Sequence, residues 1–236
     1  MSGTIANRLT SPRIAITCLE SGAGVSTVTL GLVTSLVRRS IAAAVGVIGT
    51  EVLSTTHYRR ITQHFSLCLD PWALDDTELL ASFELLHRGA EFVVIETKYP
   101  LLSELEEPKG KSNALEVLHW LRTPCVLVVD ADNIPLTKLT ELSKRIANSE
   151  APRFIGYILN RTTGDEQIEA VKKTFSEIVP SIPYLGSNAF NPDLQKRDGT
   201  IHSSVTNPGL LSRKVLITNV EAIESSINVD ELLVEC

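Results

Sequence analysis

Apolar residues in this chain fall into short unbroken runs, separated by longer stretches in which they recur every three or four positions. Unbroken runs suit strands buried on both faces of a sheet, and the longer spacing suits amphipathic helices. Strands are predicted at Arg13–Cys18, Ala43–Ile48, Phe92–Glu96, Cys125–Asp130, Phe154–Leu159 and, more briefly, Ile182–Leu185. A helix opened by Ser26 and Thr27 runs to Arg39, and Thr55–His64 is weakly helical. The stretch Asp76–Arg88 carries Leu79, Leu80, Phe83 and Leu86 on one face, acids in its first turn and Gly89 after its end. Further helices are expected over Asn113–Arg122, capped by Ser112 or Asn113, around Leu136–Asn148, over Gly164–Ile178 and within Val220–Val234. Leu67–Asp75 reads as a proline-containing loop and Thr97–Ser112 as irregular and charged. From Gly186 to Lys214–Thr218 the chain is polar and loop-rich.

Strands alternating with helices predict an α/β fold: a three-layer, doubly wound, mostly parallel sheet of the P-loop NTPase kind. With no repeat or linker visible, residues 13–236 are expected to form one domain behind a polar lead-in over residues 1–12. Ligands of such sheets bind past the carboxyl ends of the strands. The residues to examine are therefore the turn after Cys18, Gly49–Glu51, Glu96, Asp130 and Asn160–Arg161.

The turn after Cys18 carries the most informative chemistry. In Leu19–Val25, Gly22 and Gly24 are free to take positive φ and to turn backbone N–H groups toward an anion. Ser26 and Thr27 then open a helix whose N-terminus favours negative charge. Strand, glycine turn and helix together form a phosphate cradle, yet Val25 stands where a P-loop places lysine. A purely structural tight turn is the competing reading of the same two glycines.

Composition narrows the picture. Formal net charge is −6, from 22 Lys and Arg against 28 Asp and Glu, with no long basic run, which argues against a general nucleic-acid binder. No apolar stretch approaches the ~20 residues needed to cross a bilayer, and no signal peptide is visible, so a cytoplasmic location and no membrane partner follow by default. Cys18, Cys68, Cys125 and Cys236 form no CxxC pair, and the five histidines show no metal-binding spacing.

Several separated segments carry a resemblance. They are SGAGVSTVTLGL at Ser21–Leu32, LDPWAL at Leu69–Leu74, RGAEFVVIE at Arg88–Glu96, TPCVLVVDA at Thr123–Ala131, FIGYILNR at Phe154–Arg161, IPYLG at Ile182–Gly186 and NVDELL at Asn228–Leu233. In this order they resemble the N-terminal, ATP-binding domain of cobyrinic acid a,c-diamide synthases, within the dethiobiotin synthetase and MinD/ParA class of P-loop proteins. The resemblance implies an ATP-dependent ligase of cobalamin biosynthesis, in which a tetrapyrrole carboxylate becomes an acyl phosphate and then an amide. It implies ATP and Mg²⁺ as cofactors where the site functions, and none where it does not. The resemblance ends with the synthetase domain near Cys236, so a single domain without the family's C-terminal glutaminase region is expected. Ammonia would then come from solution or from a separate glutaminase. Related domains pair through the nucleotide face, which implies a homodimer or a heterodimer with a related subunit.

Carried over residue by residue, the resemblance puts Gly22, Gly24, Ser26, Thr27, Asn160 and Arg161 against the nucleotide, with Asn160 near adenine. It puts Ser26, Glu51 and Glu96 around Mg²⁺. It also exposes losses, and names no catalytic residue. Val25 replaces the P-loop lysine, Glu20 the signature lysine of MinD-like relatives, Val47 a family lysine and Ser54 a family acid. A carboxylate at Glu20 would repel a triphosphate roughly 4–6 Å away by a few kcal/mol. Lys98, two residues beyond Glu96, reads as an ordinary solvent-facing lysine, with a substitute cation as the rarer alternative. Three functions follow: an amidoligase-type ATPase subunit, a non-catalytic binding or regulatory partner, and, more distantly, a ParA/MinD-like ATPase. The last lacks both lysines, and Val220–Val234 is acidic rather than basic.

Overall fold

The computed structural model describes residues 12–49, 52–102, 113–189 and 213–234. Seven strands form one sheet: β1 (Arg13–Cys18), β2 (Ala43–Ile48), β3 (Ser66–Cys68), β4 (Phe92–Thr97), β5 (Cys125–Asp130), β6 (Phe154–Thr162) and β7 (Tyr184–Ala189). Their order is β3-β2-β4-β1-β5-β6-β7, and every pairing is parallel. Among the described residues the helices are α1 (Val25–Arg38), α2 (Val52–Thr62), α3 (Asp76–Leu86), α4 (Ala114–Trp120), α5 (Leu136–Ala147), α6 (Asp165–Ile178), α7 (Arg213–Ser226) and α8 (Val229–Val234).

The continuous apolar runs behave as expected of strands covered on both sides. Ala15, Val93, Ile95, Leu127 and Val129 face one core, which is closed by Phe83, Leu118, Leu139 and Phe175 from α3, α4, α5 and α6. Their neighbours Ile14, Ile16, Val94, Val126 and Val128 face the other, closed by α1, Tyr58 of α2, Ile223 of α7 and Leu232 of α8. Successive residues of a strand point to opposite faces, so one run supplies two cores.

Several elements differ from the sequence expectation: the brief strand expected at Ile182–Leu185 runs over Tyr184–Ala189 as β7, and Lys214–Thr218 lies within α7. Ser66–Cys68 is an edge strand that, among the described residues, pairs only with β2; three residues are too few for any periodicity to show. The final helix within Val220–Val234 is two helices. The break falls where Ile227 bridges back to Gly186, after which Asn228 Oδ1 accepts from Glu231 N at 3.2 Å and starts α8. Helix α3 begins on a full capping box, with Asp75 accepting from Thr77 N and Glu78 N, and α4 is capped by Asn113.

Because all strands run the same way, the ends of β1, β4, β5 and β6 open onto one edge, and β1 and β4 are neighbours there. Helix α1 leaves that edge and is held by α7. Asn219 Nδ2 donates to the Thr27 carbonyl at 2.9 Å, and Ser35 Oγ donates to Glu224 Oε1 at 2.7 Å.

At the far end of α3, His87 Nδ1 meets the Phe83 carbonyl at 2.8 Å, while its Nε2 is buried and meets no hydrogen-bond partner among the described residues. Burial, and then nearby Arg13, hold the His87 pKa below the usual histidine value against the opposing pull of the carbonyl. The unfolded chain therefore binds the extra proton first, and folding stability falls as pH drops below about 6.5. Urea titrations from neutral to mildly acidic pH are expected to show His87→Gln losing less stability than the unaltered protein over that window.

Candidate functional site

The loop after β1 has the shape expected of an anion cradle. Gly22 and Gly24 take φ of +82° and +95°, and Gly24 caps α1 by accepting from Thr27 N and Val28 N at 3.0 and 3.1 Å. The end of β6 holds the loop from one side: Asn160 Nδ2 donates to the Ala23 carbonyl at 2.8 Å, and Arg161 Nη2 donates to the Gly22 carbonyl. In a trans peptide the carbonyl of one residue points opposite to the N–H of the next. These two bonds therefore turn the N–H groups of Ala23 and Gly24 away from β6. Asn160 packs so closely that a Cβ built on Gly24 would lie 2.0 Å from its Nδ2. Glycine is required there twice over, for its dihedral and for its missing side chain.

Asn160 and Arg161 thus act on the loop itself. Asn160 is 4% exposed and accepts from Asn188 Nδ2 at 2.9 Å. Arg161 sits at φ +62°, in the left-handed region that costs a non-glycine residue on the order of 1 kcal/mol, and pairs with Asp130 at the end of β5. That conformation coincides with a register shift between β6 and β7 and lets the guanidinium span Asp130 and Gly22.

Beneath the loop lies Glu96, whose side chain has no exposed surface. Its Oε1 accepts from Ser26 Oγ, the second residue of α1, at 2.5 Å, and from Lys98 Nζ at 2.6 Å. Its Oε2 accepts from Tyr58 Oη at 2.7 Å. Lys98 Nζ also donates to Ser26 Oγ at 3.0 Å. The side chain of Lys98 is 11% exposed, so the solvent-facing reading of this residue is overturned. Strand geometry gives the reason. Residues i and i+2 share a face, and Lys98 extends β4 by bonding its N–H to the Ile48 carbonyl at 2.9 Å. Gly49 makes room for it: a Cβ at Gly49, whose φ is +137°, would lie 2.8 Å from the Lys98 Cβ.

The other positions singled out by the sequence are spread differently. Val25 is the first residue of α1 and is 7% exposed in the core, and Val47 is fully buried in the same cluster. Ser54 is 1% exposed. Glu20 does not stand alone beside the loop, since Lys138 of α5 pairs with it at 3.2 Å. Glu51, the third residue expected around Mg²⁺, lies outside the described residues. Cys18, at the end of β1, has its thiol pKa pushed up to about 12 by burial first and by Glu20 second, which keeps it unreactive as a nucleophile. Among the described residues no cluster of three or more His, Cys, Asp or Glu is arranged to hold a metal, and no helix is long and apolar enough to cross a membrane.

In a P-loop site, the hydroxyl that opens the helix and the acid that ends the neighbouring strand hold Mg²⁺. Here both oxygens face an ammonium. A divalent cation about 3 Å from that ammonium would be repelled by roughly 10 kcal/mol even at an effective dielectric constant of 20. Ser26 and Glu96 therefore do not fit Mg²⁺ while Lys98 stays where it is. Tyr58 and Lys138 are participants that the sequence left unassigned, and Lys98 is one that it read chiefly as solvent-facing. Only Lys98 had a legible signal, its spacing of two from Glu96.

An all-parallel, doubly wound sheet with a glycine loop running from its central strand into a helix is the P-loop NTPase fold. Among solved structures, the cell division protein MinD from Aquifex aeolicus matches with a TM-score of 0.55 at 13% identity, covering 91% of this chain and 97% of that one. The chloroplast FtsY from Physcomitrella patens matches with a TM-score of 0.52 at 16% identity, covering 80% and 67%. No family model matches the chain. By sequence it is a homologue of cobyrinate a,c-diamide synthases: that of Listeria innocua is 29% identical over 180 residues, 75% of this chain. The chain spans about two fifths of the length of that relative (40%).

If Lys98 balances the buried Glu96, removing it strands a charge. Lys98→Ala is expected to lose about 3–5 kcal/mol in urea unfolding. The double variant Glu96→Gln/Lys98→Met should lose less than that single change, and equal losses would show that the pair is not coupled.

Proposed function

We propose that this chain is a form of the ATP-binding unit of cobyrinate a,c-diamide synthases in which ATP hydrolysis is lost or strongly reduced, and that it serves as a binding or regulatory subunit. The observation that carries this reading is Val25, an aliphatic residue packed into the core at the place of the lysine that neutralises the β- and γ-phosphates. Loss of such a charge from a transfer site commonly costs several orders of magnitude in rate. The phosphate-loop shape survives because it rests on Gly22, Gly24, Asn160 and Arg161, none of which depends on that lysine. Ser26 and Thr27 would face the phosphates, with Asn160 and Arg161 bracing the loop rather than reaching for the base. The partner of this reading is a second copy or a related, intact synthetase subunit.

A second reading is favoured by sequence similarity over 75% of the chain. In it the protein still uses ATP and Mg²⁺ to amidate a tetrapyrrole carboxylate, with ammonia from solution or from a separate glutaminase. Steady-state phosphate release separates the two. The unaltered protein is expected to give no ATP turnover above the blank, and Glu20→Ser/Val25→Lys to give a measurable rate. Turnover by the unaltered protein as fast as that of the double variant would support the ligase reading instead.

A further inference from the structure

We propose that the Lys98 ammonium is a resident cation in the position that a P-loop site gives to Mg²⁺. Any phosphate group taken by the loop Leu19–Gly24 is then taken without a metal, with Lys98 as its counter-charge. The second half of this inference rests on the reading of that loop as a phosphate site; the first half does not.

Four observations converge on it. The ammonium touches the same two oxygens that would ligate a metal, Ser26 Oγ at 3.0 Å and Glu96 Oε1 at 2.6 Å. Its position is built rather than incidental, because Gly49 leaves out the Cβ that would collide with the Lys98 stem and Ile48 fixes the Lys98 backbone. Glu96 also accepts from Tyr58 on its other oxygen and has no exposed surface, so both of its oxygens are already engaged by the protein. Finally, the loop itself offers no cation at Val25, which packs into the core, or at Glu20, whose charge is engaged by Lys138. The positive charge of this site sits just past the end of β4, on Lys98, and not on the loop. A lysine there can meet a phosphate oxygen with one N–H while another remains on Glu96, since an ammonium carries three donors.

Mn²⁺ is the probe for the first half, followed by loss of its free electron-spin-resonance signal in the presence of the full chain. The unaltered protein is expected to leave the signal unchanged at millimolar Mn²⁺. Lys98→Met is expected to bind Mn²⁺ at least about tenfold more tightly, with a melting temperature that rises as Mn²⁺ is added. Equal binding by the two proteins, or none by either, overturns the assignment. Should Lys98→Met fail to fold, the unaltered protein decides by itself. Amine acetylation read by mass spectrometry should find Lys98 protected, with Mn²⁺ making no difference. Exposure of Lys98 by Mn²⁺ would mean that metal displaces it, against the proposal.

Inorganic pyrophosphate is the probe for the second half, titrated calorimetrically with Mg²⁺ and with a chelator. Equal affinity under both conditions supports a metal-free phosphate site, and affinity that depends on Mg²⁺ refutes it. Failure of pyrophosphate to bind at all would refute the phosphate-loop reading while leaving the Mn²⁺ result to judge Lys98.

Discussion

A carboxylate with no exposed surface must be matched by its neighbours, because water is not there to solvate it. Glu96 is matched from three directions: by the hydroxyl that opens α1, by a tyrosine from α2 and by the ammonium that follows its own strand. Each partner comes from a different element, so the carboxylate pins α1, α2 and the β4 exit to one point at the edge of the sheet. The position of the glycine loop depends on this as much as on its own dihedrals. Thr97 Oγ1 bonding to Thr17 Oγ1 at 2.9 Å adds a second tie between β4 and β1 directly beneath.

A second set of contacts shapes the loop from the opposite flank. Asp130, Arg161, Asn160 and Asn188 form a chain of polar groups across the ends of β5, β6 and β7, and two of them seize loop carbonyls. The strained backbone at Arg161 is maintained by those bonds. A cradle built this way keeps its form without bound phosphate. Its shape therefore rests on polar contacts to the loop backbone and not on the charge of the side chains at Glu20 and Val25.

That charge pattern differs from the sequence comparison in an instructive way. Counting residues around the loop suggested cations lost and an anion gained. Once folded, the added anion Glu20 is paired with Lys138, and a lysine previously counted as solvent-facing sits against Glu96. Electrostatics belongs to positions in space, and side chains such as Lys98 and Lys138 are long enough to carry charge into a site from elements that local sequence does not associate with it.

Much of the fold was legible in the chain itself. Unbroken apolar runs at Ile14–Ile16, Val93–Ile95 and Val126–Val129 admit burial on both faces and hence a parallel, helix-covered sheet. Gly22 and Gly24 marked the turn, since only glycine accepts such dihedrals cheaply. The three-residue edge strand Ser66–Cys68 and the break at Ile227 were not legible, because each is made by a distant partner, β2 and Gly186. The site divides along the same line. Local backbone preference determined the cradle, through glycine dihedrals and a helix start. Tertiary structure alone decided what fills it, because the grouping of Tyr58, Glu96, Lys98 and Ser26 joins residues up to 72 positions apart.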